Sequence, residues 1–282
     1  MTSSLPNLMI IGAYKCGTSF LHDNLDQHPD ITMSIRKEPA YFSKTRNFDK
    51  GVQWYQSQWP RHNRIMGESS PQYTYASDWE EVPARMQKLI PDVKLILSIR
   101  DPIERIVSHY LHSYKKYDEL RSFEEAVSSP TLASSFYVQC SRYYAIASRY
   151  LEKFERSQIH IIVLEQLKSS PAEEMKCIFQ FLEIDDSFYL PSFTKPVNRT
   201  RDQKRKTLVG LQAEKLRKKI KLEKVPVPSR LKQLFKDSIA TRPLVRPVFS
   251  AEFRNRLVEI LEPDVSCLKK QLDLNLDLWN IV

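Results

Sequence analysis

Residues 8–21, LMIIGAYKCGTSFL, constrain the fold more than any other part of the chain. Residues 8–11 are a short, continuous apolar run that stops at Gly12, as a strand buried on both faces of a parallel sheet would. Thr18 or Ser19 is placed to cap a helix carrying Phe20, Leu21 and Leu25, which His28-Pro29 ends. A strand, a tight loop and a helix in that order aim several backbone N–H groups at one spot. The helix dipole adds a positive field there, so the predicted guest is an anion. Lys15 brings a mobile positive charge beside it. The common nucleotide loop, GxxxxGK[ST], has its lysine directly after the second glycine; here Thr18 follows Gly17, and Lys15 precedes it. Five of the 282 residues are glycine, where average usage would give about twenty. Two of the five, Gly12 and Gly17, fall in this loop, where the backbone has most need of them.

The rest of the chain predicts an α/β, three-layer, P-loop-like fold with a central, mostly parallel sheet. Residues 31–34 read as a second strand and residues 93–99 (VKLILSI) as a third. After the latter, Arg100-Asp101-Pro102 forms a turn with Asp101 as helix cap and Pro102 at the first helical position. Ile106, Val107, Tyr110, Leu111 and Tyr114 continue that helix at helical spacing. Residues 136–154 predict one aromatic-rich helix, residues 159–164 (IHIIVL) another buried strand, and Ser170-Pro171 the start of a helix through Phe179 and Leu182. From about Pro191 the character changes. Between Arg199 and Lys219 there are nine Lys or Arg and two acids, followed by Pro226, Pro228 and two amphipathic helical stretches. The expected organisation is one domain, with an α/β core over 1–195 and a basic loop and helical extension over 196–282.

Composition narrows the function classes. A net charge of +9 favours anionic partners, and phosphates of any kind, nucleic acid included, come into question. Four cysteines at 16, 140, 177 and 267 form no CxxC pair, so neither a zinc site nor a disulfide framework is expected. There is no run of about 18 apolar residues and no basic leader followed by an apolar stretch. A cytoplasmic protein without a membrane partner is the expectation. The loop chemistry argues against an ATPase or kinase. In those enzymes the post-glycine lysine reaches the terminal phosphates, while Ser/Thr and an acidic residue hold Mg²⁺. Here the strand at 93–99 runs into Arg100, which suits a phosphate better than a metal.

These residues carry a family resemblance. GAYKCGTSFL resembles the phosphosulfate-binding loop of sulfotransferases that use 3′-phosphoadenosine 5′-phosphosulfate (PAPS). SIRDPIERIVSHY, residues 98–110, is similar to their second signature, in which an arginine and a serine grip the 3′-phosphate; those positions are Arg100 and Ser108 here. RKEPAYF (36–42) resembles the Lys-Glu-Pro-x-Phe/Tyr-Phe segment of the heparan-sulfate-type branch, whose glutamate is the catalytic base. GESSPQY (67–73) resembles that branch's Thr/Ser-Pro-x-Tyr segment, and LVEILEPD from Leu257, with Trp279 beyond it, its closing helix.

The resemblance implies in-line sulfuryl transfer without a metal. An alcohol is a weak nucleophile, so a base within hydrogen-bond reach takes its proton as the new S–O bond forms. Glu38 is the implied base, with His109 and His112 as rivals. Lys15 and the loop N–H groups are expected to stabilise charge on the leaving oxygen. The implied nucleotide site comprises Lys15, Cys16, Gly17, Thr18, Ser19, Phe20, Arg100 and Ser108. Tyr143 joins them, with core packing as its alternative, together with Lys204 and Arg205 from the basic run. The family's Lys-Gly-Arg group has no counterpart in that run. Glu68 either helps position the acceptor or simply pairs with a cation. Trp54, Tyr55 and Trp59 either line the acceptor pocket or pack elsewhere. The expected acceptor is a hydroxyl, less favourably an amine, of a small metabolite, with a carbohydrate as the alternative. Outside the class stand a nucleotide kinase and a basic nucleic-acid-binding module; no nucleic-acid partner is expected.

Overall fold

The structure is a computed structural model that describes residues 5–75, 81–116, 118–194, 204–206 and 241–281; at 192, 194, 204–206, 241 and 242 it describes the backbone. Five parallel strands form the sheet: β1 (Leu8–Gly12), β2 (Ile31–Met33), β3 (Ile65–Ser69), β4 (Lys94–Ile99) and β5 (Ile159–Val163), in the order β2-β3-β1-β4-β5. β1 and β3 are buried along their whole length, the condition in which parallel strands lose polar/apolar alternation.

Side chains of one strand point alternately to the two faces, and the two hydrophobic cores divide accordingly. Met9, Ile11, Leu95, Leu97 and Ile99 meet one layer; Leu8, Ile10, Ile96 and Ile162 meet the other. The first layer is built by α4 (Pro102–Lys116), α5 (Phe123–Val127), α6 (Phe136–Gln139), α7 (Tyr143–Leu151) and α10 (Ala251–Leu272). The second is built by α1 (Thr18–Leu25), α8 (Leu164–Ser169) and α9 (Pro171–Leu182). Two short helices, α2 (Gly51–Gln56) and α3 (Glu81–Leu89), complete the first. No described helix is long and apolar enough to cross a membrane.

Three expectations change. The start of α1 is Gly17, in the left-handed region at φ 86°, with no side-chain cap from Thr18 or Ser19. The helix expected over 136–154 is two, α6 and α7. Ser141 at the break accepts a bond from the fully buried Arg105, and the N–H groups of Tyr144 and Ala145 are held by the Asp264 carboxylate of α10 at 2.9 and 3.0 Å. Strand β3 has no counterpart among the expected strands. Of the two helical stretches expected near the C-terminus, α10 is described. The other lies outside the described residues.

The chain leaves β1 towards β2 and β3, and leaves β4 towards β5. The carboxyl ends of β1 and β4 therefore border the point where the winding reverses, the usual ligand crevice of an open α/β sheet.

Candidate active site

Ser98 of β4 braces the loop between β1 and α1. Its carbonyl accepts from Ala13 N–H at 2.6 Å, and its hydroxyl donates to the Cys16 carbonyl at 2.6 Å. Gly12, at φ 151°, passes so close to Thr74 that an added Cβ would lie 2.6 Å from its methyl group. Lys15 is itself at positive φ, 72°. The loop reaches α1 through Gly17, which has no side chain to cap the helix's first N–H groups. Such an end attracts negative charge.

Three cations lie around the loop and the first turn of α1. The Lys15 ammonium lies 3.3 Å from His112 Nδ1 on α4. Burial, with Lys116 and Arg100 nearby, lowers its pKa to about 8; burial and Lys15 in turn lower His112 to about 4. Arg100, at the end of β4, reaches the Lys15 carbonyl at 3.5 Å and Glu104 at 3.6 Å, while its buried Nε has no partner. Lys37 donates to the Ser19 hydroxyl and lies 3.9 Å from Glu38. An orphaned guanidinium N–H beside the loop that enters α1 suits a phosphate oxygen, so the residues present fit a nucleotide phosphosulfate.

Glu38 stands next to this cluster, about one third exposed, and accepts a 2.6 Å bond from Gln72 Nε2. Tyr14 forms the adjoining wall, edge-on to His109, His112 and Tyr75. Burial, with Glu38 nearby, pushes its phenol up to about 12.

The other singled-out residues are distributed unequally. Cys16, Gly17, Thr18, Ser19 and Phe20 form the loop and first turn of α1. Cys16 is buried, 3.6 Å from the buried Tyr143 hydroxyl, and Ser108 is buried on α4. His109 lies in the interior against Arg105, 3.2 Å away. Glu68 has no exposed surface, so it does not meet an acceptor directly. Tyr55 and Trp59 belong to the core; Trp54 is partly exposed under Lys50. The backbone of Lys204 and Arg205 lies in β6 (Lys204–Lys206), which pairs with β7 (Thr241–Pro243) and runs beside α4. Their side chains, and the rest of the basic run, lie outside the described residues.

Gln72, Tyr14 and Asn280, not singled out from the sequence, and Trp279, named there beside the closing helix, complete the surroundings. Gln72 and Tyr14 adjoin Glu38. Near the C-terminus, Asn280 N–H donates to Asp101 at 2.9 Å and Trp279 Nε1 to Glu165 at 3.0 Å, with the Trp279 ring against Tyr143. Asp101 also accepts from Glu104 N–H at 2.9 Å, capping α4 as expected.

Comparison with known proteins gives a consistent picture. A family model described as a sulfotransferase domain matches residues 5–234. Mouse heparan sulfate glucosamine 3-O-sulfotransferase 3A1 is 32% identical over 200 residues, 67% of this chain and 49% of its own length. The human enzyme numbered 5 in that series is 29% identical over 196 residues, 65% of this chain and 55% of its own length. The chain thus spans about half the length of these relatives. A sulfotransferase crystal structure from Alicyclobacillus acidocaldarius superposes with a TM-score of 0.70 at 22% identity, covering 97% of this chain and 98% of that one. That likeness speaks to the fold.

Proposed function

The chain belongs to the sulfotransferase family, and on that premise we propose that it moves a sulfuryl group from PAPS to a carbohydrate hydroxyl, with Glu38 as the base. The observation that carries this reading is the contact of Arg100 with the Lys15 carbonyl in the loop that enters α1, with Lys37 on Ser19 of the first turn and Glu38 alongside. The relatives' names favour a carbohydrate over the small metabolite expected from the sequence.

Arg100 and Ser108 hold the 3′-phosphate of the donor, and the loop from Lys15 to Phe20 holds its phosphosulfate. The donor supplies the electrophilic sulfur. Glu38 takes the hydroxyl proton while the acceptor oxygen bonds to sulfur; the bond from sulfur to the 5′-phosphate breaks, and its electron pair stays on the phosphate oxygen. Lys15 and the first N–H groups of α1 stabilise that charge, each well-placed donor being worth roughly 3 kcal/mol. Gln72 holds one Glu38 oxygen, and the other lies 3.9 Å from the Lys37 ammonium. The single-domain organisation belongs to the same reading.

The test is transfer of radiolabelled sulfuryl from PAPS to a glucosamine-containing oligosaccharide, with thermal shift as a companion. Adenosine 3′,5′-bisphosphate is expected to raise Tm without Mg²⁺. Stabilisation by ATP–Mg²⁺ alone would overturn the reading in favour of a kinase or ATPase.

A further inference from the structure

Glu38 is followed by Pro39 and by Ala40, which sits in the left-handed region at φ 48°. A residue with a Cβ seldom adopts that conformation unless its surroundings impose it. The surroundings trace to one group. Ala40 N–H donates to the Ser70 hydroxyl at 2.9 Å. The Tyr41 ring stacks on Tyr55, centroids 4.3 Å apart and planes 11° apart. Phe42 N–H donates to the Tyr73 hydroxyl at 3.2 Å. Three consecutive residues are thus held by three different hydroxyl-bearing side chains. All three of those hydroxyls converge on the Glu68 carboxylate. Tyr55 donates to Oε2 at 2.5 Å, and the Ser70 and Tyr73 hydroxyls face the carboxylate and favour its charged form. Oε1 has no partner of good geometry, which leaves it available to either of the last two.

We infer that Glu68 is a positioning residue for the base: as a carboxylate it fixes the direction of the Ser70, Tyr55 and Tyr73 hydroxyls and thereby the backbone that carries Glu38. The inference rests on the reading of Glu38 as base only for its catalytic consequence. The physical reason is donor counting. A hydroxyl has one hydrogen. An ionised carboxylate has none, so each hydroxyl around it turns its hydrogen inward and its lone pairs outward. Outward lone pairs are what the N–H groups of Ala40 and Phe42 require. A carboxamide or a protonated carboxyl brings hydrogens of its own, so one hydroxyl must reverse and point its hydrogen at an N–H. A buried network that is only partly satisfied loses more than one bond's worth of order.

The groups facing Glu68 are the Tyr55 phenol from α2, the Ser70 hydroxyl and Tyr73 phenol beyond β3, and the Met9 thioether on β1 through Tyr55. None of them carries a charge. Burial accordingly raises the Glu68 pKa to about 7, so the carboxylate form gives way to the protonated form within the physiological range.

The test is amide hydrogen exchange resolved at Ala40 and Phe42, which needs no acceptor. Glu68→Gln is expected to speed exchange at both amides at least tenfold, while Ile10 and Ile11 keep wild-type protection. Ser70→Ala is expected to release Ala40 and spare Phe42; Tyr73→Phe is expected to do the reverse. In the wild type, protection at both amides, corrected for intrinsic exchange, should fall severalfold from pH 8 to pH 5.5, and it should be flat in Glu68→Gln. Wild-type exchange at both amides in Glu68→Gln would overturn the inference. If Glu68→Gln does not fold, the two single-hydroxyl variants decide: loss of the residue-by-residue pattern overturns it. With labelled PAPS and the oligosaccharide acceptor, Glu68→Gln should lower kcat and leave the affinity for adenosine 3′,5′-bisphosphate unchanged. A wild-type protein inactive towards that acceptor counts against the proposed function, and the exchange measurements still decide the role of Glu68.

Discussion

The Arg100 guanidinium reaches the backbone carbonyl of Lys15 across 3.5 Å, joining two segments 85 residues apart in the chain. The carbonyl takes one N–H of the guanidinium, Glu104 faces another, and the buried Nε remains open. Arg100→Ala is therefore expected to raise the Kd for adenosine 3′,5′-bisphosphate about 10- to 100-fold, the range for bonds to a charged group. Isothermal titration measures it; an unchanged Kd would mean that the 3′-phosphate is held elsewhere.

Glu38→Gln should lower kcat roughly 10²- to 10⁴-fold, as loss of a general base does, with nucleotide affinity nearly intact. Gln keeps the acceptor for Gln72 and loses the ability to take a proton. If full turnover survives, His112 is the next candidate, since it lies at the same opening beside Lys15, whereas His109 is interior.

Lys15 gives a pH dependence of definite sign. Burial lowers its pKa to about 8 in the ligand-free protein, so its charge is lost as pH rises from 7 to 9. Affinity for adenosine 3′,5′-bisphosphate should weaken over that window and should flatten in Lys15→Arg, which stays charged. Titration from pH 6.5 to 9.5 checks it; a wild-type affinity constant across pH 8 contradicts it.

Glu68 gives a stability dependence. Its folded pKa, about 7, lies above the ordinary carboxyl value of 4.5, so the folded state takes up a proton between them. The stability linked to this proton is fully present below about pH 4.5 and is lost as pH rises through 7. Gln at this position escapes that loss, so the Tm of Glu68→Gln relative to wild type should rise from pH 6 to pH 8. A difference independent of pH would contradict it. Positioning and stability pull in opposite directions here, as they often do beside an active site.

Asp264→Ala removes both acceptors from the first turn of α7, which carries Tyr143 against Cys16. A lost cap costs about 1–2 kcal/mol, so Tm should fall by several degrees; thermal unfolding checks it.

What the sequence made legible follows burial. Strand β1 is a continuous apolar run and β4 and β5 are interrupted only by Lys94, Ser98 and His160, because helices cover both faces of the sheet; each lies within one residue of its expected bounds. Strand β3 shares that burial but reads IMGES, and its polar and small residues break the pattern. Gly67 is there because a Cβ would lie 2.5 Å from Met33 Sδ, and Glu68 because three hydroxyls surround it. The break between α6 and α7 was hidden for another reason: its causes, Arg105 and Asp264, lie 36 residues before Ser141 and 120 after Tyr144. Lys15, Arg100 and Glu38 could be singled out because motifs carry them. Gln72 and Tyr14, which flank Glu38, belong to no charge or spacing pattern that sets them apart.

The grip of Trp279 and Asn280 on Glu165 and Asp101 bears on synthesis. Asp101 follows directly on Arg100, and Tyr143, which meets the Trp279 ring, also meets Cys16, so these late residues contact segments laid down much earlier in the chain. A nascent chain can pair β1 with β4 while residues 276–280 are still inside the ribosome. Asp101 and Glu165, however, then lack their C-terminal partners. The sheet can therefore form before Asp101 and Glu165 meet their late partners, which reach them only after residues 279 and 280 have left the ribosome.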